Sequence, residues 1–230
     1  MKHVQNAALA VGILMLGHAL LLAGETAPDM KTLMTQRGKL LFSDDFVTAM
    51  NKDWKAAKGK WEIVGGALKA SELKADMHAA AARYALPFTN AIIQYSFKLD
   101  GDARTTLSIN TDKGHLCRVL ISANNLTVKK DLQKKLPGDK GAILQSRDLP
   151  IKPGVWHTIS VELQGNEMLA CVDGKDIAFG SHDGLNVPKA NLGLTVSGAS
   201  VSFKNLRVWE AQPNPDWKTT KTKLLQTQGK

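Results

Sequence analysis

Carboxylates that could cut a glycosidic bond are the first residues to look for. That chemistry uses two of them about 5 to 10 Å apart, one as acid and one as base or nucleophile. On a strand, a Glu-x-Asp-x-Glu run would place them on one face, because alternate residues share a side. No such run occurs, and Glu62, Glu72, Glu162, Glu167 and Glu210 each stand alone. Asp44 and Asp45 are adjacent, so on a strand they point to opposite faces. Asp44, Asp45 and Glu62 are therefore the only acid or base candidates, and they lack the spacing of a pair. Asp44 is also the candidate ligand for calcium, the one cofactor the sequence leaves open, since loop-edge carboxylates with carbonyl oxygens suit that ion. The alternative for Asp44 is a capped turn at a strand end.

Histidine gives no metal or triad spacing. Of six, His3 and His18 lie in the first 24 residues, and His78, His115, His157 and His182 are dispersed. His157 shares a strand face with Ile159, Val161 and Leu163, which reads as a histidine at the core edge. His115 shares a face with Cys117, Val119 and Ile121, whereas Arg118 lies with Leu116 and Leu120. On a regular strand only one of His115 and Arg118 reaches an open sheet face. Saccharide binding typically uses an aromatic against the apolar ring face and planar polar groups for the hydroxyls. The candidates are Trp54 in a polar loop, Tyr95, Asn110, His115 and Arg118. Trp61, Trp156 and Trp209 sit beside strand positions and read as core or rim. Cys117 and Cys171 each fall within a strand pattern. They are either a disulfide of an exported protein or two buried thiols.

The elements that would carry these residues are strands. Trp156 to Leu163 and Met168 to Asp173 alternate apolar and polar residues. They flank a Gly165-Asn166 turn, and an Asp173-Gly174 turn follows, the pattern of an antiparallel meander. Trp61 to Val64 and Ala67 to Lys69 flank a Gly65-Gly66 hairpin turn. Lys39 to Phe46 reads as the first strand and Ala91 to Leu99 as a strand with Ile93, Tyr95, Phe97 and Leu99 on one side. Ala79 to Ala82 suits a helical turn or a small-residue strand. Further strands at hairpin spacing argue for an all-β, two-sheet antiparallel sandwich. In the last strand, Ser200 to Trp209, the apolar phase switches between Phe203 and Leu206, which predicts a bulge near Lys204-Asn205. Trp217 is expected to dock back on the domain, followed by a short helix or disorder.

The first 24 residues, one lysine and then an apolar run from Ala7 to Ala23, have the layout of a signal peptide, which predicts a secreted or periplasmic protein. After its cleavage no transmembrane segment is expected. Residues 25–38 form a lead-in, 39–211 one domain, and 212–230 a polar basic tail. The formal charge is +9, concentrated in 129–140 and 218–230. Such charge fits a polysaccharide or oligosaccharide partner with acidic groups, an anionic cell-envelope surface, or a solvated lysine-rich face. Neither run has interleaved aromatics, so nucleic acid is not an expected partner.

The motifs KLLFSDDF, WEIVGGAL, GVWHTISVEL, VDGK and VSFKNLRVWEAQPNPDW together span most of the mature chain. They resemble the concanavalin A-like, or laminin G-like, jelly-roll superfamily, and most closely secreted bacterial proteins with a 3-keto-disaccharide hydrolase domain. The resemblance implies a jelly-roll sandwich that meets sugars on one sheet, and a glycoside hydrolase acting on 3-keto-disaccharides as an alternative to a lectin-like module. A structural envelope module is the third expectation. That family carries an Asn-Ser-Gly-aliphatic-x-x-Arg run on the concave sheet. Here the stretch reads TLSINTDKGHLCRVLIS, with Arg118 at the arginine's place and the Asn-Ser-Gly missing.

Overall fold

A computed structural model describes residues 29–228. The segment read as a signal peptide lies outside the described residues. In chain order the strands are β1 (Thr35–Asp44), β2 (Lys55–Lys58), β3 (Lys60–Ile63), β4 (Leu68–Ser71), β5 (Ala80–Phe88), β6 (Ala91–Asp100), β7 (Arg104–Thr111), β8 (Gly114–Ser122), β9 (Asn125–Lys130), β10 (Ala142–Asp148), β11 (His157–Gln164), β12 (Glu167–Val172), β13 (Asp176–Ser181), β14 (Lys189–Ser197) and β15 (Ser200–Pro213). A C-terminal helix, α1 (Trp217–Gln228), follows.

The strands form two antiparallel sheets, as the turn spacing predicts. The first runs β13-β12-β11-β6-β15-β4-β3, with β1 also paired to β15. The second runs β10-β9-β8-β7-β14-β5-β2. Non-sequential neighbours such as β6 with β11 and β15 give the crossed-over order of a jelly roll.

Alternation places the core. Ile93, Tyr95, Phe97 and Leu99 of β6 are fully buried. Across the first sheet, Ile93 registers with Val161 on one side and Val208 on the other. Leu107, Ile109, Val119, Val128, Leu192 and Leu194 of the second sheet complete the same core. Each such side chain contributes about 1.5 to 3 kcal/mol by leaving water.

Strand β15 keeps apolar residues inside on both sides of its phase switch. The register breaks between Lys204 and Arg207, and Asn205 adopts a positive φ of 54°. The extra residue turns the strand, so Phe203 and Leu206 both face inward.

Two departures from the sequence reading concern the ends. Strand β1 begins at Thr35 rather than Lys39, because Thr35, Gln36 and Arg37 pair with Pro213, Gln212 and Ala211 of the long β15. Polar residues extend the strand through backbone pairing alone. The lead-in and α1 then cover the outer face of the first sheet. Met30, Met34, Leu169, Cys171, Phe179 and Leu224 form a second small core there. Trp217 docks as expected: its Nε1 donates to Glu167 at 2.7 Å and its ring meets Phe179 edge-on.

Glu162 fixes the lead-in. Its carboxylate accepts from the backbone N–H groups of Leu33, Met34 and Thr35 and from the Thr35 hydroxyl, at 2.7 to 2.8 Å. Burial still pushes its carboxyl above the usual range, against the opposing pull of those four donors. The two thiols are separate and free: Cys117 points into the main core and Cys171 into the second. The disulfide alternative is thereby corrected, since the residues face different layers. Burial pushes Cys117 up to about 12 and Cys171 up to about 11, so both stay protonated. No described helix is long and apolar enough to cross a membrane.

Candidate functional site

The outer face of the second sheet holds a groove of about 700 Å³, floored by β8 and β9 and walled by residues 131–135 and 141–143. Its central feature is a bulge. Cys117 registers with Ile109, but the next pairing is His115 with Asn110, so Leu116 is an extra residue in β8. The Leu116 carbonyl is used outside the ladder, accepting from the Asp131 N–H at 2.8 Å.

A bulge flips the side-chain phase of everything beyond it. His115, which regular alternation would place inward with Cys117, is therefore on the open face with Arg118. Both line the groove. The expectation that only one of them reaches that face is corrected, and the cause is this one-residue irregularity.

The side chains interlock. Asn110 Nδ2 donates to Asn191 Oδ1 across β14 at 2.6 Å, and its Oδ1 lies 2.6 Å from His115 Nδ1. In this amide orientation the imidazole carries its proton on Nδ1. Its Nε2 makes no hydrogen bond to a described residue. Burial, then the charges of Arg118 and Arg83, hold His115 below the ordinary histidine value, against a smaller pull from Asp131. That shift favours the neutral ring.

Arg118 is oriented from the side. Its Nε lies 2.8 Å from Asp131 Oδ2, off the line of a hydrogen bond, so the contact is an ion pair. Lys129 Nζ lies 2.9 Å from the other oxygen of Asp131. The guanidinium's two terminal nitrogens make no bond to a described residue, and the side chain is 31% exposed.

Cross-strand register extends the face. Lys55, Arg83, Gly193, Ser108, Arg118 and Lys129 stand in one row across the second sheet. Gly193 keeps the floor flat: a Cβ there would lie 3.0 Å from the Ala82 carbonyl oxygen and 3.2 Å from Arg83 Cγ. The stem of Arg83 therefore lies over it.

The outer wall is pinned by a buried lysine. Lys130 is fully buried, and its ammonium donates to both oxygens of Asp139 at 2.7 to 2.8 Å, to the Asp131 carbonyl at 2.7 Å and more loosely to the Lys140 carbonyl. Asp139 also accepts from the Gln133 N–H at 2.6 Å. The Lys130 hydrogen bonds hold the Asp139 carboxyl below the usual range.

The other candidates lie elsewhere. Trp54 is 5% exposed and packs among Phe42, Phe46 and Tyr84, with Nε1 donating to Asp44. Its aromatic face is core, so a ligand-contact role is corrected; the polar loop around it closes over the ring. Tyr95 is fully buried and equally out of reach, and its hydroxyl has no partner among the described residues. Asp44 caps a loop, its oxygens accepting from Phe46 N, Asn51 N and Trp54 Nε1. Asp45 Oδ1 accepts from the Val47 N–H, and Glu62 is ion-paired to Lys60 on β3. None of these three carboxylates lines the groove. Among the described residues no three His, Cys, Asp or Glu side chains assemble as a metal site. His157 sits at the core edge against Phe97, its Nδ1 2.7 Å from Asp173. Asn191, Gly193, Lys129, Asp131, Lys130 and Asp139 were not signalled as site residues by the sequence, beyond the charge run 129–140 that contains four of them.

Two antiparallel sheets in jelly-roll order, with a polar groove on one open face, define a jelly-roll sandwich. The chain belongs to the 3-keto-alpha-glucoside-1,2-lyase-like domain family, whose model matches residues 41–209. Solved structures share the fold at low identity. A carbohydrate-binding module, CBM66 from Bacillus subtilis, is 11% identical with a TM-score of 0.57, covering 69% of this chain and 96% of that one. A Bacillus subtilis protein with a galectin-like fold is 12% identical with a TM-score of 0.61, covering 79% and 100%. The GlcNAcα1-4Gal-releasing endo-β-galactosidase of Clostridium perfringens is 12% identical with a TM-score of 0.58, covering 80% and 64%. No curated protein matches the sequence.

Proposed function

We propose that the protein is an exported module that binds a saccharide in the groove of its second sheet, through His115 and Arg118, with buried Asn110 holding His115 in place. The observation that carries the reading is the bulge at Leu116, which brings His115 onto the face of Arg118. The ligand-facing groups are planar and polar, as hydroxyl recognition requires, and they are held by Asn110 and Asp131 before any ligand arrives. The carbohydrate-binding module and the endo-β-galactosidase among the fold neighbours support a sugar as the ligand.

A second reading is favoured by the free Nε2 of a neutral His115 and by family membership. In it, His115 takes the C2 proton of a 3-keto-α-glucoside, acidified by the neighbouring carbonyl. The C1–O bond breaks, the proton passes to the departing oxygen, and an enone and an alcohol result. Arg118 then faces the developing enolate oxygen.

Calorimetry against an oligosaccharide panel that includes 3-keto-glucosides, with ultraviolet detection of enone, tests both. Saturable binding without enone, weakened in His115→Ala and Arg118→Ala, supports the binding reading. Enone formation abolished in His115→Ala supports the second. Binding that survives both substitutions removes the groove from consideration.

A further inference from the structure

We propose that the saccharide held in this groove is anionic, its carboxylate or sulfate gripped by the two terminal nitrogens of Arg118; this rests on the groove being the saccharide site. Arg118 lines the groove with its Nε ion-paired to Asp131, and its two terminal nitrogens make no bond to a described residue. A fork held in this way matches the two oxygens of a carboxylate or sulfate, whereas a lone hydroxyl engages only one arm.

The surrounding charge points the same way. Asp131 stands between two cations, Arg118 and Lys129, so the trio carries an excess positive charge. Lys113, Lys134 and Lys135 add to the rim, while Lys130 is matched by Asp139. Walls of low polarizability raise the effect of such an excess on an incoming anion.

The groove also lacks what a neutral sugar ordinarily needs. Among the described residues that line it there is no Phe, Tyr or Trp. Leu132 and Ile143, 52% and 69% exposed, supply aliphatic contact only. Without a stacking platform, charge is the strongest source of affinity this lining offers.

The test is calorimetric titration of the full chain with polygalacturonate, its methyl ester, dextran sulfate, dextran and a single-stranded oligonucleotide, at low and at high salt. Wild type is compared with Arg118→Ala, Arg118→Lys and Lys218→Ala, the last on α1 across the molecule, with circular dichroism as a fold check. The expected result is binding to polygalacturonate or dextran sulfate, weakened by salt and lost with the ester and with dextran. Arg118→Ala should weaken it about thirtyfold or more, the scale of removing a charge-assisted partner. Arg118→Lys should not restore it, and Lys218→Ala should leave it unchanged. Dextran or ester binding as tight as the charged forms overturns the anionic inference and leaves the saccharide site standing. Binding of no saccharide at all overturns both. Equal loss in Lys218→Ala, or equal affinity for the oligonucleotide, reduces the effect to bulk charge and overturns the proposal.

Discussion

Replacing Lys130 by Met should loosen the groove wall before it unfolds the sandwich. Lys130 is fully buried and its ammonium meets two Asp139 oxygens and the Asp131 and Lys140 carbonyls. Removing it leaves the Asp139 carboxylate, 7% exposed, without its counter-charge. Breaking one side of a buried pair costs about 3 to 5 kcal/mol. For a domain of this size that is roughly 6 to 20 °C in Tm. If residues 131–141 open at lower cost than the whole domain, the global loss is capped at that opening energy and the remainder appears as lost hydrogen-exchange protection in the segment. Lys130→Met/Asp139→Leu should recover much of the loss, because an apolar pair has no stranded charge. The pH dependence gives a second check. The folded Asp139 value is lowered from the ordinary 3.8, so its contribution is complete above that value and is lost as pH falls through the folded value. In Lys130→Met this acid-side loss should vanish. Urea unfolding and exchange mass spectrometry measure both quantities. A variant within about 1 kcal/mol of wild type, with unchanged protection over 131–141, would refute the claim that Lys130 holds the wall.

Other substitutions and conditions have defined outcomes. Tyr95→Phe removes a buried hydroxyl without a described partner and should stabilise the fold by about 1 kcal/mol in urea melts. Trp217→Ala loses the Glu167 bond and the Phe179 contact; about 1 to 3 kcal/mol of destabilisation and fraying of α1 by circular dichroism are expected. Thiol titration should find both cysteines only after denaturation, with no reductant needed. His115 separates binding from turnover: its value lies below the ordinary 6.5, so acidification through the folded value adds a positive charge. Affinity for an anionic sugar should then rise, while any proton abstraction by Nε2 should fall, as read from titrations and enone rates across that range.

Much of the fold is written in local chemistry. The meander around Gly165 and Asp173 follows from turn residues whose positive φ the structure uses, and the Asn205 bulge follows from an apolar phase that changes within one strand. The site is written less plainly. Nothing in GHLCR marks Leu116 as the extra residue, because its cause is a backbone bond from Asp131, fifteen positions downstream. Trp54 reads as a loop aromatic since its partners Phe42 and Tyr84 are contributed by other strands. Lys130 sits in a charge run that reads as solvated surface, yet the Asp139 that buries it arrives only when the loop folds back. Where a side chain's environment comes from a distant backbone group, periodicity carries no trace of it.

The small second core has a consequence for presentation. It gathers the first described residues, through Met30 and Met34, and the last helix, through Leu224, on the outer face of the first sheet. The groove opens on the outer face of the other sheet, a full sandwich thickness away. Both ends of the described chain therefore leave from the back of the molecule. A linker attached at either end to a bead, a sensor chip or another domain would hold the protein as a handle holds a dish, mouth outward, with the rim lysines the first groups an approaching polymer meets.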